Sequence, residues 1–153
     1  MNRKETATRY YADAFACSQG VFATFGKDMG LTEDQCLKIG GAFGGGMARQ
    51  QLTCGAVTGA MMVIGLIYGR GLGDDVSQKE ITYEKTNELL TEFQKRNGSL
   101  NCRDLLQGLN LNDPEELNKI QDLCLFQTSC VKYIEDVVDI VEEMIGDKGS
   151  RAV

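Results

Sequence analysis

Six cysteines are the residues with which this 153-residue chain could do chemistry, because it contains no histidine. Without imidazole there is no Ser–His or Cys–His catalytic pair, no histidine-ligated metal and no CxxCH haem attachment. The sequence also carries no hydrolase or transferase signal, so whether the chain is an enzyme stays open. No two cysteines are spaced as CxxC, so zinc-ribbon and thioredoxin-like sites lack their local signature. The kinds of chemistry that remain possible are thiol redox chemistry and metal binding by thiolates.

Three of the cysteines lie at predicted helix starts. Cys54, Cys102 and Cys130 each follow a Thr, Asn or Ser residue that is typical of a helix N-terminus. The unpaired N–H groups and the dipole there favour the thiolate, and Arg103 and Lys132 are sequence neighbours that could add positive potential. A nucleophile, a disulfide-exchange thiol and a metal ligand all need thiolate character.

The remaining cysteines have weaker functional signals. Cys17 falls inside the first predicted helix, on the edge of its apolar stripe, where it can supply a fourth ligand. Cys36 lies on the apolar side of the next helix, and Cys124 is in step with Leu117 and Ile120. Free cysteines often fill a core as small hydrophobic side chains, so packing is the expected role of Cys36 and Cys124.

Helices must position these thiols, because apolar residues recur at spacings of three and four and no segment alternates. The first predicted helix carries Tyr11, Phe15, Phe22 and Phe25 and ends at Gly26. Further helices start at Thr32, Thr53, Ser77, Asp113 and Thr128, most of them with a capping residue, and a short turn of helix follows Asn101. Small residues form one face of the helix after Thr53, which lets another helix approach closely. The sequence therefore predicts an all-α bundle of five to six helices.

Length and composition predict one domain. The chain is 42% hydrophobic and 25% charged, which is enough apolar material for a core. We expect a single domain over residues 1–153, with a core of about 5–146 and a frayed tail at 147–153. Residues 50–69 carry no charge, but glycines and polar residues dilute them, which favours a buried helix over a membrane span.

Charge and cysteine usage indicate the compartment. The net charge of −6 opposes binding to a phosphate backbone, so no nucleic-acid partner is expected. The first residues are polar and charged rather than apolar, unlike a signal peptide. A cytoplasmic protein, whose thiols are kept reduced, is the resulting expectation.

A glycine run precedes Cys54. The run Gly44–Gly46 should end or loosen the second helix. Its N–H groups could cradle an anion near Arg49, but no nucleotide-loop pattern is completed. Close packing, or a loop that lets Cys54 approach a cluster, is the better interpretation.

Several of these segments together resemble the C-GCAxxG-C-C family of redox-active proteins, over roughly residues 14–143. They are Cys17, the run Gly44-Gly45-Gly46-Met47-Ala48-Arg49, the hexapeptide Cys54-Gly55-Ala56-Val57-Thr58-Gly59, the segment 101–106 and Cys130. The resemblance implies that Cys17, Cys54, Cys102 and Cys130 are the four family cysteines and that Cys36 and Cys124 are additions. It also implies a membrane transporter, or a protein associated with one, as a partner. The four-cysteine domain is similar to the iron–sulfur part of split-Soret cytochromes.

Three functions follow from this. In the first, Cys17, Cys54, Cys102 and Cys130 converge on one iron–sulfur cluster, most simply [2Fe–2S], for electron transfer or redox sensing. In the second, two of these four cycle between dithiol and disulfide without a metal. In the third, the chain is a helical interaction module with core cysteines. The redox partner is not indicated, and a homo-oligomer stays open.

Overall fold

The computed structural model describes residues 1–146, and these form eight α-helices and no strand. The helices are α1 (Arg3–Ala12), α2 (Cys17–Gly26), α3 (Glu33–Gly40), α4 (Gly55–Tyr68), α5 (Gln78–Asn97), α6 (Cys102–Leu105), α7 (Pro114–Asp122) and α8 (Ser129–Ile145). The predicted all-α class is confirmed, whereas the predicted number of five to six helices is wrong. The predicted frayed tail, 147–153, lies outside the described residues.

One reason for the miscount is a break in the first predicted helix. α1 ends at Ala12 and α2 begins at Cys17, because Ala14 takes a left-handed backbone with φ of 69°. The side-chain oxygen of Gln19 accepts the Ala16 N–H at 2.8 Å and so caps the new helix. Cys17 is therefore the first residue of a helix, not a residue in the middle of one.

α2 is the central helix, in contact with α1, α3, α4 and α8. Its Phe22 and Phe25 are buried, and burying each contributes about 2 kcal/mol of hydrophobic stabilisation. α4 crosses α2 closely, since a Cβ on Gly59 would lie 2.7 Å from the Ser18 carbonyl oxygen. The predicted face of small residues on α4 thus lets another helix, α2, approach closely, as expected.

The capping residues are partly as predicted. Thr32 and Gln35 form a reciprocal capping box at α3, and the Asp113 side chain accepts N–H groups of the first turn of α7. Ser77, where the sequence predicts a helix start, does not cap α5. The Ser77 side chain makes no capping bond, and its N–H donates to Asp75 Oδ1 at 2.8 Å instead.

The buried side chains form a main cluster and a smaller one. The smaller cluster consists of Leu106, Ile120 and Leu125, with Cys102 and Cys130 packed against it. Cys54 and Cys17 belong to the main cluster or pack against it. The four cysteines of the predicted site therefore lie along the boundary between the two clusters.

The uncharged stretch contains α4, whose first six residues are buried, with Ala56, Val57 and Ala60 in the main cluster. Among residues 1–146, no helix is both long enough and apolar enough to cross a membrane.

Candidate functional site

Four cysteines line one cavity of about 1270 Å³. Each lies at the start of a different helix: Cys17 and Cys102 are the first residues of α2 and α6, Cys54 precedes α4, and Cys130 is the second residue of α8. Four helix starts therefore border one cavity, and at α6 the Cys102 and Arg103 N–H groups already donate to the Leu52 and Gln51 carbonyls. The dipole of a longer helix favours negative charge on a sulfur at its N-terminus.

Backbone pairing holds two of these helix starts together. Thr53 and Asn101 form an isolated antiparallel bridge. The Cys54 N–H donates to the Leu100 carbonyl at 2.8 Å, and the Cys102 N–H donates to the Leu52 carbonyl at 2.6 Å. Cys54 and Cys102 consequently project from the same face of the paired segments, because both are one residue away from the bridge.

A glycine makes room for the third cysteine. Gly55, directly after Cys54, faces the Cys17 Sγ so closely that a Cβ there would clash with it. The same hypothetical Cβ would lie 3.0 Å from the Phe43 carbonyl oxygen. Gly55 and Gly59 of the hexapeptide are one helical turn apart, so both face the start of α2.

Two tyrosines border the fourth cysteine. The Tyr133 hydroxyl donates to the Leu105 carbonyl at 2.8 Å, which ties α8 to α6. The Tyr11 hydroxyl lies beside the Cys130 thiol. Burial raises the pKa of Tyr11, and the neighbouring Cys130 sulfur raises it further.

The segment between α3 and α4 contains an uncommon left-handed turn. Five consecutive residues, Gly45 to Arg49, have positive φ. The Gln51 and Leu52 N–H groups donate to the Gly45 and Gly46 carbonyls, both at 3.0 Å. Three of the five carry a side chain, and each of these costs about 1–2 kcal/mol in this conformation. Gly44 and Gly45 line the cavity, so the glycine run forms part of its wall and not only a helix end.

Burial dominates the electrostatics of the thiols. It raises the pKa of Cys102 to about 12 and that of Cys130 to about 11. It also raises the pKa values of Cys17 and Cys54, although N–H groups of Gly45 and Ser18 lower that of Cys17. In the metal-free protein burial therefore opposes the thiolate that the helix starts were expected to favour.

The two cations predicted to activate the thiols point elsewhere. Arg103 Nε donates to the Gly108 carbonyl at 2.7 Å. Lys132 pairs with Asp136 and donates to Asn97 Oδ1 at 2.8 Å. Neither lines the cavity, whereas Arg49 does.

Comparison with known proteins identifies the family of the chain. A family model described as "Putative redox-active protein (C_GCAxxG_C_C)" matches residues 15–144. The chain belongs to this family. Neither the curated proteins nor the solved structures that were compared with the chain gave a match.

The C_GCAxxG_C_C match includes all six cysteines, which are free thiols. Cys36 is buried, as expected, and its sulfur fills the space beside Gly26. Cys124 is exposed, so its predicted burial is wrong. α7 ends at Asp122, and Cys124 lies beyond it in a turn with φ of 54°, off the helical stripe.

A bare metal ion has no complete site in this arrangement. Within residues 1–146, no group of three or more His, Cys, Asp or Glu side chains is placed to hold one ion.

Sequence reasoning missed two features of this C_GCAxxG_C_C site. The first is the helix start at Cys17, which Gln19 three residues after Ala16 could have indicated as half of a capping box. The second is Tyr11, which was assigned only to an apolar stripe. Its position beside Cys130 follows from tertiary packing alone.

Proposed function

We propose that the chain binds one iron–sulfur cluster through Cys17, Cys54, Cys102 and Cys130 and acts in electron transfer or redox sensing. The observation that carries this proposal is the meeting of four thiols from four helix starts at one cavity. Clusters are held by four cysteine thiolates, and [2Fe–2S] is the simplest that uses this set. When bound, such a cluster supplies one-electron chemistry.

The surroundings of the thiols support a cluster. Thiolate ligands bring negative charge into a buried place, where helix N-termini and N–H groups aimed at sulfur stabilise it. The Gly45 and Ser18 N–H groups interact with the Cys17 sulfur in this way, as do those of Ala56 and Val57 with Cys54. Metal binding replaces the protons that burial keeps on the free thiols.

A metal-free dithiol mechanism has weaker support. Thiol–disulfide exchange needs a thiolate at ambient pH, and its rate falls as the thiolate fraction falls. Burial raises the pKa of all four cavity cysteines, so each is a thiol at neutral pH in the free protein. Cluster assembly depends less on the thiolate fraction of the free protein, because bound iron itself favours the thiolate.

We extend the proposal to compartment and partner. Six free thiols fit a reducing cytoplasm, where structural disulfides are rare. The redox partner would be another protein, with a membrane transporter or its associated protein as the candidate that the family resemblance suggests.

A pair of cysteine variants tests the proposal. Cys102→Ser should lose most bound iron and visible absorption after anaerobic reconstitution, because serine is a poor ligand for iron in place of a soft thiolate. Cys124→Ser is the matched control, since Cys124 is exposed and outside the cavity. It should load iron as the unaltered protein does.

Two results would overturn the assignment. Equal iron loading of Cys102→Ser and Cys124→Ser would show that Cys102 is not a ligand. Failure of the unaltered chain to take up iron would reject the cluster. Circular dichroism of each variant separates ligand loss from unfolding.

A further inference from the structure

The cavity beside the cysteines has more room than four thiols need. Its volume of about 1270 Å³ is at or above the upper end for pockets that hold small organic molecules, about 300–1,000 Å³. Beyond the sulfurs, much of the wall is apolar. The apolar side chains include Phe15, Leu111, Leu117, Phe126 and Val131. A surface of this kind suits the apolar body of a small molecule.

Arg49 is the one charged side chain among the described residues that line this cavity. It takes part in none of the ion pairs formed by residues 1–146. Its backbone is fixed, because Asn112 Nδ2 donates to the Arg49 carbonyl at 2.9 Å. An exposed guanidinium without a carboxylate partner therefore stands at the edge of an apolar cavity.

The backbone around Arg49 is unfavourable and yet retained. Met47, Ala48 and Arg49 all have positive φ, between 52° and 68°. Left-handed residues with side chains persist where surrounding structure enforces them, and they concentrate at binding and catalytic sites. The turn also brings the Arg49 stem against Gly45, where a Cβ would lie 2.9 Å from Cγ. The turn thus fixes the position of the Arg49 side-chain stem, which carries the guanidinium.

The chemistry of the wall selects the class of ligand. A guanidinium binds a carboxylate through two parallel N–H···O bonds. A phosphate dianion would need several further donors, and no second cation lines this cavity among the described residues. A single negative charge with an apolar body matches one arginine and an apolar wall.

We propose that the cavity binds a small organic monocarboxylate whose carboxylate pairs with Arg49 and whose apolar or aromatic body lies against Phe15 and Phe126. This inference goes beyond the proposed cluster and does not depend on it. The ligand would lie in the same cavity as the four sulfurs.

The probe for this site is 2-naphthoate, with the neutral 2-naphthamide as its uncharged analogue. Calorimetric titration should show binding of 2-naphthoate to the metal-free protein. Arg49→Gln should weaken that binding about tenfold or more, because it removes the ionic hydrogen bonds. Arg49→Lys should restore part of it. The matched control is Arg70→Gln, since Arg70 is exposed outside the cavity and donates to the Asp74 carbonyl.

The outcomes separate the alternatives. Binding of 2-naphthamide that Arg49→Gln leaves unchanged supports the charge assignment. Equal affinity of Arg49→Gln and Arg70→Gln for 2-naphthoate overturns it, as does no binding, or displacement of the probe by millimolar inorganic phosphate. Repeating the titration after anaerobic reconstitution keeps the two proposals distinct: naphthoate binding by protein that takes up no iron rejects only the cluster.

Discussion

Gly55 and the Cys17 sulfur are packed so closely that no side chain could stand between α4 and the start of α2. The glycine that follows Cys54 thereby determines where Cys17 lies, so two of the four thiols are positioned by one helix crossing. This relationship gives the hexapeptide a geometric reason for glycine at its second position.

Gly55→Ala should therefore displace Cys17 or separate the helices. We expect the free energy of unfolding to fall by about 1–3 kcal/mol, as for overpacking of a well-filled core. The control is Gly65→Ala in the same helix, where nothing lies within 4 Å of the added Cβ. It should stabilise the chain by about 0.5–1 kcal/mol, because alanine favours the helix. Urea unfolding measures both, and equal changes would contradict the packing account.

A second glycine variant tests the left-handed turn. Gly46 has φ of 67°, and a Cβ there would lie 2.7 Å from the Cys102 Cβ and 2.7 Å from the Leu52 nitrogen. Gly46→Ala should thus add a clash of about 1–3 kcal/mol to a backbone cost of about 1–2 kcal/mol. Gly98→Ala is the control, since Gly98 also has positive φ but open space around it.

The difference between these two variants measures the close contacts of Gly46 with Cys102 and with the backbone of Gln51 and Leu52. Thermal or urea unfolding should show Gly46→Ala to be clearly the less stable. If both lose the same stability, the turn is not packed against Cys102 as described.

Alkylation should separate the cysteines by access. In metal-free protein at neutral pH, iodoacetamide should modify Cys124 first, because it is the one exposed cysteine. Cys36 and Cys54, which are 0% and 7% exposed, should react last. Burial also raises the pKa of Cys102 and Cys130, so these should follow Cys124 slowly. Peptide mass spectrometry over time checks the order, and early modification of Cys54 would contradict it.

Tyr11 should tune the potential of the proposed cluster. Its hydroxyl lies beside Cys130, and a hydrogen bond to sulfur stabilises the more negative, reduced state. Tyr11→Phe should leave iron loading intact and shift the reduction potential to a more negative value. Tyr10→Phe is the control on the same helix, because its hydroxyl meets Glu33 and Lys27 outside the cavity. Redox titration of both proteins tests this, and identical potentials would remove Tyr11 from the site.

The sequence allowed the helical class and most helix starts to be predicted, because caps and apolar spacing are local signals. Cys102 and Cys130 could be placed at helix starts for this reason. The break before Cys17 was missed because Tyr11, Phe15 and Phe22 continue one stripe across it. Cys124 was misplaced for the same reason, since its spacing from Ile120 extends past the end of α7.

The rest of the site depends on contacts between distant segments. Met47, Ala48 and Arg49 adopt a backbone against their local preference. The residues next to this turn are held by contacts with the segment 109–112. For example, Gln51 Nε2 donates to the Leu109 carbonyl at 2.8 Å. Likewise, burial raises the pKa of the thiols and so opposes the effect expected of the helix dipoles. Neither effect is visible in a local pattern.

The central claim is that the four cavity cysteines hold one iron–sulfur cluster, and metal analysis of anaerobically prepared protein tests it most directly. Iron, acid-labile sulfide and zinc should be measured on the same sample together with its visible spectrum. We expect about two iron and two sulfide per chain, with visible absorption that dithionite bleaches, as a [2Fe–2S] cluster requires. Protein that stays colourless and free of iron after anaerobic reconstitution, or that holds zinc instead, would contradict the account.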